Sequence, residues 1–414
     1  MMKNIKYILS VAACAMIVCS CSNDDDFSDS IFDTSIEAVD EESTTGSFDQ
    51  WLYDNFVVPY NTEIQYKFNM TGAKMDYLLA PADYEKSQML ARFIKYLFYD
   101  VYVKHAGDDF MKRYAPRIIH FIGSAAYSPT TGTEELGYAS AGVKITLIKV
   151  NEMKMWTPTT PYTAADMDKL NEYQFHTMHH EFSHILHQTK SYPVTFGQIN
   201  PAEYDGRKWQ ERDSVKSHSL GFITQYGSSA NYEDFVETLS CTITNNDCRW
   251  MYTIIDACAN GGVKDGDKER IYELIDSLEI EGLDDPAKPW NNFKIRKETA
   301  VNKETGDETE RFVPDFHETD AKRQNATNGS DYTLTYVDEA SFTSFRDYLD
   351  NWVTIDNNAE ACGMNAIMKK LDIATEWYTE KWGLYLFKLR REVRERQAKI
   401  NEYVQNEVEI FELK

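Results

Sequence analysis

Two histidines and a glutamate in the segment His180-Glu181-Phe182-Ser183-His184 have the types and the spacing of residues that bind a metal ion. Residues four apart on a helix lie one turn above each other, so both imidazoles can reach one ion at about 2.0–2.1 Å. Glu181 lies about 100° further round the helix, where its carboxylate can act as a base on a water molecule beside the ion. The pattern predicts hydrolysis of a carbonyl compound with Zn²⁺ as the metal.

The sequence around this motif favours a helix with one buried face. Residues 164–187 contain no Gly or Pro, and apolar residues such as Leu170, Met178 and Leu186 recur near helical spacing. This context supports the metal interpretation. The alternative is a pair of core histidines that bind no metal.

A zinc site needs a third protein ligand and keeps its fourth position for water. His187 is excluded on an unbroken helix, because it lies about 10.5 Å along the helix axis from His180. Metzincins break this helix at a glycine and take a third histidine beyond it, but His187 and Lys190 occupy those two positions here. A carboxylate from a second helix, predicted for residues 230–244, is the other solution.

The second helix begins with Tyr232-Glu233-Asp234-Phe235-Val236-Glu237, whose E-x-F-x-E pattern resembles gluzincins of the lethal-factor type. The resemblance implies that Glu233 is the third ligand. It also implies that Tyr226, seven residues earlier, donates a hydrogen bond to the oxyanion, a stabilisation of about 2.7–4 kcal/mol. Glu237, one turn beyond Glu233, can accept a hydrogen bond from a ligating imidazole and fix its tautomer. Asp234 points about 100° away and is the alternative ligand.

Three more histidines need an interpretation. His176 lies on the metal-facing side of the first helix, one turn before His180, and is predicted to line the cleft. His179 is predicted to be structural. His218 lies in a polar segment, residues 192–219, that is predicted to be a loop, and no role is predicted for it.

Composition sets the broad class of the chain. Its 414 residues are 42% hydrophobic and 13% aromatic, enough for a large core. The net charge is −24, with 67 acidic against 43 basic residues, which argues against a nucleic-acid partner. Outside the N-terminus the cysteines lack metal-binding spacing and are predicted to be buried free thiols: Cys241, Cys248, Cys258 and Cys362.

The N-terminus is predicted to be a signal rather than part of the fold. Lys3 and Lys6 precede an apolar stretch, residues 7–18, which is too short to span a bilayer. It ends in Val18-Cys19-Ser20-Cys21, which resembles the lipobox of bacterial lipoproteins. The resemblance implies cleavage after residue 20 and lipidation of Cys21; an ordinary secreted protein is the alternative. Residues 21–47 are acidic and are predicted to form a disordered tether.

The remaining sequence predicts an α+β protein. Strands are predicted at residues 62–68, 117–123 and 143–150, and further helices at 84–106 and 267–278. Residues 137–150 are predicted to be either the sheet edge that pairs with substrate or an interior strand. Residues 48–283 are predicted to be the catalytic domain. A charged insert or mobile segment, with a turn at Thr305-Gly306-Asp307, is predicted for 284–340, and a helical C-terminal subdomain for 341–414.

Taken together, the lipobox, the acidic tether, Pro59-Tyr60-Asn61, the H-E-F-S-H and E-D-F-V-E motifs and the segment Lys370-Leu371-Asp372 resemble one family. It is the substrate import-associated zinc metallohydrolase lipoproteins of Bacteroidota. The resemblance implies a zincin-like fold with a small mixed sheet, an H-E-x-x-H helix and a mainly helical C-terminal part. It also implies a TonB-dependent importer as partner. The acidic run Asp24-Asp25-Asp26 after Cys21 resembles the surface-export signal of Bacteroidota lipoproteins, which implies an outer-membrane protein that faces the cell surface.

The function predicted from the sequence is therefore a surface-anchored zinc peptidase. Zn²⁺ is held by His180, His184 and Glu233, Glu181 is the base, and the substrate is a peptide or protein. Hydrolysis of another amide would use the same chemistry. A non-catalytic lipoprotein that captures ligand for an importer is the alternative from another class, although binding alone does not require Glu181.

Overall fold

The computed structural model describes residues 43, 45–68, 79–127, 134–135, 137–140, 144–258, 265–278, 294–302, 305–315, 332–340 and 363–412. Residues 1–51 and 52–414 form separate units. In the first unit, Thr45 donates a hydrogen bond to the Asp49 carboxylate (2.8 Å) in the first turn of a helix, Gly46–Leu52. The predicted signal, Cys21 and most of the predicted tether lie outside the described residues. The strands and the remaining helices belong to the second unit.

In chain order the strands of the described residues are β1 (Glu63–Gln65), β2 (Ile118–Phe121), β3 (Ala126–Tyr127), β4 (Glu134–Glu135), β5 (Gly137–Ser140), β6 (Lys144–Leu147), β7 (Lys294–Asn302), β8 (Glu308–Asp315) and β9 (Tyr332–Ala340). The helices of the second unit are α1 (Val58–Tyr60), α2 (Tyr84–Ile94), α3 (Asp100–Ala106), α4 (Asp108–Tyr114), α5 (Ala164–Leu170), α6 (His176–Thr189), α7 (Ser214–Ser219), α8 (Asn231–Thr244), α9 (Asp247–Cys258), α10 (Asp265–Ser277), α11 (Gly363–Trp382), α12 (Leu386–Ala398) and α13 (Ile400–Glu412).

The main sheet is small and mixed. Its order is β1-β2-β6-β5, with β1, β2 and β6 parallel and β5 antiparallel to β6. The parallel strands place Ile64, Ile119 and Ile145 side by side, and all three are buried. Apolar parallel strands are usually buried by helices, and here α6 packs against β5 and β6. The predicted α+β class is therefore confirmed, as are the three strand segments.

The segment 137–150 contains both of the predicted alternatives. β5 lies at the edge of the sheet, while β6 lies inside it between β2 and β5. Of these two strands, β5 is therefore the one that could offer an edge to another strand, and β1 forms the opposite edge of the sheet.

The predicted helices at 84–106, 230–244 and 267–278 are confirmed by α2–α3, α8 and α10. The predicted loop at 192–219 is partly wrong, because α7 lies within it. That short helix is stabilised by Asp213, whose carboxylate accepts a hydrogen bond from the backbone N–H of Lys216 (2.7 Å). The helix α9 was not predicted.

The core is aromatic where the H-E-x-x-H segment meets it. Phe182, at the centre of the motif, is fully buried, and its ring lies 5.3 Å from that of Phe98 and 4.9 Å from that of Tyr102. Such edge-to-face pairs each contribute about 0.5–1.5 kcal/mol beyond the apolar area they bury. Phe182, between the two histidines of the motif, therefore anchors their helix to the core.

The predicted insert contains regular structure. β7 pairs with β8 and β9 in an antiparallel sheet. The predicted turn is confirmed: Gly306 has φ +74°, and Thr305 donates to the Asp307 carboxylate (2.7 Å) between β7 and β8. Within the described residues, no helix has the length and apolar character needed to cross a bilayer.

The C-terminal helices hold both ends of α8. At its first turn, Lys370 of α11 donates to the Asp234 carboxylate (2.7 Å) and to the Gly221 carbonyl (2.7 Å). At its last turn, Arg390 of α12 donates to the carbonyls of Thr242 (2.9 Å) and Asn245 (2.5 Å). Those carbonyls have no acceptor role inside the helix, so Arg390 satisfies them and complements the helix dipole.

Replacing Lys370 with Met should destabilise the fold strongly. Lys370 and Asp234 are each 1% exposed, so the substitution leaves a buried carboxylate without its cation. We expect the free energy of unfolding, measured by urea titration, to fall by about 3–5 kcal/mol. Lys369, the exposed neighbour on the same helix, is the control. K369M should change the free energy of unfolding by less than about 0.5 kcal/mol. Similar values for the two variants would contradict this account.

Candidate metal centre

The helix that carries the H-E-x-x-H motif begins with a capping box. Thr163 accepts a hydrogen bond from the Asp166 backbone N–H (3.3 Å), and the Asp166 carboxylate accepts one from the Thr163 N–H (2.8 Å). From there α5, a π-helical stretch (Asn171–Phe175) and α6 continue without a break. The prediction of a helix over 164–187 is confirmed. The wider π turn rotates the residues after it, and it ends just where the histidines begin.

Three side chains converge on one point between α6 and α8. The Nε2 atoms of His180 and His184 lie 3.2 Å apart. Oε2 of Glu233 lies 3.2 Å from the first and 3.3 Å from the second. These side chains are 9% to 13% exposed, so the triangle is largely shielded from water.

This triangle fits a tetrahedral zinc ion. With Zn–N and Zn–O bonds of about 2.0–2.1 Å, two ligand atoms of a tetrahedron lie about 3.3 Å apart. The three observed edges, 3.2, 3.2 and 3.3 Å, match that separation. Two imidazole nitrogens and one carboxylate oxygen are also a donor set that zinc prefers. The fourth vertex of such a tetrahedron is left for a water molecule or substrate.

Each imidazole is oriented through its other nitrogen. His180 Nδ1 lies 2.6 Å from Glu237 Oε1. Because a carboxylate only accepts, Nδ1 carries a proton, and in the neutral ring that binds a metal the lone pair of Nε2 points into the triangle. His184 Nδ1 lies 2.9 Å from Nε2 of His187. Sequence reasoning weighed His187 only as a ligand and missed this contact, although its three-residue spacing from His184 puts both on one helix face.

The charges of the site are strongly coupled. Burial lowers the pKa of His180, but hydrogen bonds to Glu233 and Glu237 outweigh burial and raise it to about 10. Burial raises the pKa of Glu233, but hydrogen bonds from His180 and His184 lower it to about 2. With Glu181 these residues place three carboxylates in one largely buried region. A divalent cation offsets two of those charges, which is a second sign that the donor set fits a metal.

Glu181 and Tyr226 flank the triangle. Burial raises the pKa of Glu181, while His180 and His184 lower it. Tyr226 begins a 3₁₀ turn (Tyr226–Ser229), and its ring centroid lies 5.9 Å from that of His180. Burial and then the charge and hydrogen bond of Glu233 raise the pKa of Tyr226, so its hydroxyl stays protonated. The side chain remains 38% exposed, so this face of the site is open to solvent.

The prediction of Asp234 as an alternative ligand is wrong. Its carboxylate faces away from the triangle and binds Lys370 and the hydroxyl of Tyr204, both at 2.7 Å. A buried lysine provides the charge that Asp234 needs, so this carboxylate is engaged before any metal binds.

Three further residues that the sequence singled out lie outside the triangle, among those that the structure describes. His179 contacts the Tyr102 hydroxyl (3.0 Å) inside the core, as expected of a structural residue. His218 lies 3.2 Å from the Asp256 carboxylate and 3.0 Å from the Ile223 carbonyl. Cys241 is a buried free thiol, as predicted. Cys21 and Cys362 lie outside the described residues, and so do the side chains of Cys248 and Cys258.

Comparison with known proteins agrees with this geometry. Residues 41–285 match the family described as "Putative zinc-binding metallo-peptidase". A crystal structure described as "a putative zinc-binding metallo-peptidase" from Bacteroides caccae is 25% identical, with a TM-score of 0.51, and the match covers 90% of this chain and 97% of that one. No curated protein shows significant similarity to the chain. Since the family match spans more than half of its length, the chain belongs to the family that carries this description.

Proposed function

We propose that the protein is a zinc-dependent peptidase whose metal ion is held by His180, His184 and Glu233. The observation that carries the proposal is the triangle of ligand atoms with edges of 3.2–3.3 Å. Its agreement with tetrahedral geometry distinguishes it from a chance cluster of buried polar groups. The family to which the chain belongs is described as zinc-binding.

The mechanism assigns each side chain near the triangle a task. A bound zinc ion supplies Lewis acidity, which polarises the scissile carbonyl and acidifies a water molecule. Glu181 accepts the proton of the attacking water and later donates it to the leaving amine. A carboxylate whose pKa is raised by burial is suited to both steps, because it gains and loses the proton more easily near neutral pH. Tyr226 donates a hydrogen bond from its hydroxyl to the oxyanion of the tetrahedral intermediate.

We further propose that the substrate binds as an added strand on β5, in a zincin-like arrangement. Within the described residues β5 pairs with β6 and with no other strand, and it lies next to α6. An extended peptide paired there satisfies backbone groups of β5 and passes beside the metal ligands. Backbone pairing favours a peptide over other amides, because it requires regularly spaced N–H and carbonyl groups.

The sequence of the N-terminus supports a proposal about location. We propose that Cys21 carries a lipid that anchors the protein to the outer membrane, and that residues 21–47 hold the enzyme away from the surface. On this proposal the enzyme faces the cell surface and supplies peptides to a TonB-dependent importer. The lipobox pattern supports the lipid anchor, and the acidic run that follows it supports the orientation towards the cell surface.

Metal binding should stabilise the fold through Glu233. A ligand present at a hundredfold excess over its Kd raises the free energy of unfolding by about 2.7 kcal/mol. We expect this zinc-dependent gain for the unchanged protein and for E376A, which alters an exposed glutamate of α11. We expect E233A to lose this zinc-dependent gain in the free energy of unfolding. Urea unfolding with and without zinc, joined to metal analysis, measures both. An equal gain in E233A would exclude Glu233 as a ligand.

Replacing Glu181 with Gln should abolish turnover while zinc remains bound. Glutamine is close in size but cannot accept a proton, and a general base contributes about 10²–10⁴ in rate. The assay is cleavage of a peptide mixture, with products identified by mass spectrometry and metal content measured on the same sample. Turnover as fast as in the unchanged protein would remove Glu181 from the mechanism. Peptide binding without cleavage by the unchanged protein would instead support a capture function.

Replacing Tyr226 with Phe should lower kcat and leave KM nearly unchanged. The substitution removes one oxyanion donor, whose loss typically costs about 10²–10³ in kcat, and keeps the ring that packs against Trp209 at 5.1 Å. Y232F is the matched control, since Tyr232 is also exposed and its ring lies 6.2 Å from that of His184. Equal effects of the two substitutions on kcat would argue against a specific role for Tyr226.

A further inference from the structure

The helices α6 and α8 meet in a regular ladder that extends beyond the proposed ligands. His176, His180 and His184 follow each other at four-residue steps on α6, and Glu233, Glu237 and Cys241 do so on α8. His184 lies opposite Glu233 (3.3 Å), His180 opposite Glu237 (2.6 Å) and His176 opposite Cys241 (3.8 Å to Sγ). The first two rungs build the proposed zinc site. The third rung has no part in the mechanism.

The third rung is linked to the second through a single oxygen atom. Oε1 of Glu237 lies 2.6 Å from Nδ1 of His180 and 3.0 Å from Nε2 of His176. A carboxylate oxygen has two lone pairs, so it can accept both N–H groups at once. Since the carboxylate cannot donate, the Nε2 atom of His176 is the donor in this contact.

Glu237 depends on these donors because it is nearly inaccessible to water. Its side chain is 2% exposed, and a buried carboxylate without hydrogen-bond donors is costly. One donor fixes the distance to the carboxylate but leaves it free to turn about that bond. Two donors on adjacent turns of α6 fix both the position and the direction of Oε1.

We infer that His176 is a positioning residue of the metal centre, which holds Glu237 in the orientation from which that carboxylate orients the His180 ring. The inference rests on the proposed zinc site. His176 touches neither the substrate nor the triangle of ligand atoms; it acts through Glu237. Cys241 lies on the same side as Glu237: its Sγ is 3.8 Å from Nε2 of His176, the nitrogen that also contacts the Glu237 carboxylate.

Two amide substitutions of His176 test the inference, because asparagine and glutamine carry the same amide group and differ only in the length of the side chain. The amide nitrogen of glutamine corresponds to Nε2 of histidine, while that of asparagine corresponds to Nδ1. We therefore expect H176Q to keep the donor for Glu237 and H176N to lose it. Loss of a residue that orients a metal ligand typically weakens metal binding about 10–100-fold. H176N should show that loss in zinc affinity, and H176Q should bind zinc nearly as tightly as the unchanged full-length protein.

The measurement is competition for zinc with a chromophoric chelator, alongside urea unfolding of the metal-free proteins. Support requires weaker zinc binding by H176N than by H176Q at similar metal-free stability. Equal affinities of the two variants overturn the inference. If H176N does not fold, H176L, which lacks any donor, is compared with H176Q in the same way.

Two other results separate this inference from its alternatives. Binding of two zinc ions per chain, reduced to one by C241S, would show that His176, Glu237 and Cys241 are a metal site themselves and would overturn the positioning role. Absence of zinc binding by the unchanged protein would overturn the proposed function, and the inference with it. Zinc binding that is equal in the unchanged protein, H176N and H176Q would overturn the inference alone.

Discussion

The metal centre depends on the register between two helices, α6 and α8. Because ligands and their hydrogen-bond partners repeat every four residues on both helices, one register places Glu233 at the triangle and Glu237 behind the His180 ring. Rotation of α8 by a single residue, about 100°, would turn both carboxylates away together and bring Asp234 towards the histidines. Ligand geometry and ligand orientation are thus set by one packing arrangement, and whatever fixes α8 also fixes the chemistry.

Two contacts that hold the ends of α8 come from helices near the far end of the chain. Lys370 binds Asp234 at the first turn of the helix, and Arg390 binds the last carbonyls at the other end. Burial lowers the pKa of Arg390 to about 10, so it remains charged at neutral pH. Gly221 completes the first contact: its carbonyl accepts from Lys370, and its φ of +89°, together with Ala366 packed where a Cβ would lie, leaves room for glycine alone. The C-terminal helices are therefore part of the support of the site.

Local patterns predicted the parts of the site that are governed by helical spacing. The H-E-x-x-H helix, the second helix and the placement of His180 and His184 on one face follow from helical spacing. Glu233 as the third ligand came from the resemblance of the second helix to gluzincins. The choice between Glu233 and Asp234 was left open for a physical reason. Neighbouring carboxylates differ only in which face of α8 they occupy, and that face is set by Lys370, distant in sequence. The role of His187 was missed for a different reason, since sequence reasoning asked whether it binds metal and not what its ring could accept.

The proposed role of Tyr226 as oxyanion donor requires the resting site to change when substrate arrives. Its hydroxyl carries one proton, which in this structure is engaged by Glu233. The same proton cannot also stabilise an oxyanion, so the bond to Glu233 must be given up during the reaction. Two features lower the cost of that exchange. Binding of a cation by Glu233 weakens the carboxylate as an acceptor, and the 38% exposure of Tyr226 leaves its ring room to turn. The tyrosine thus becomes available as an oxyanion donor when metal and substrate are both in place.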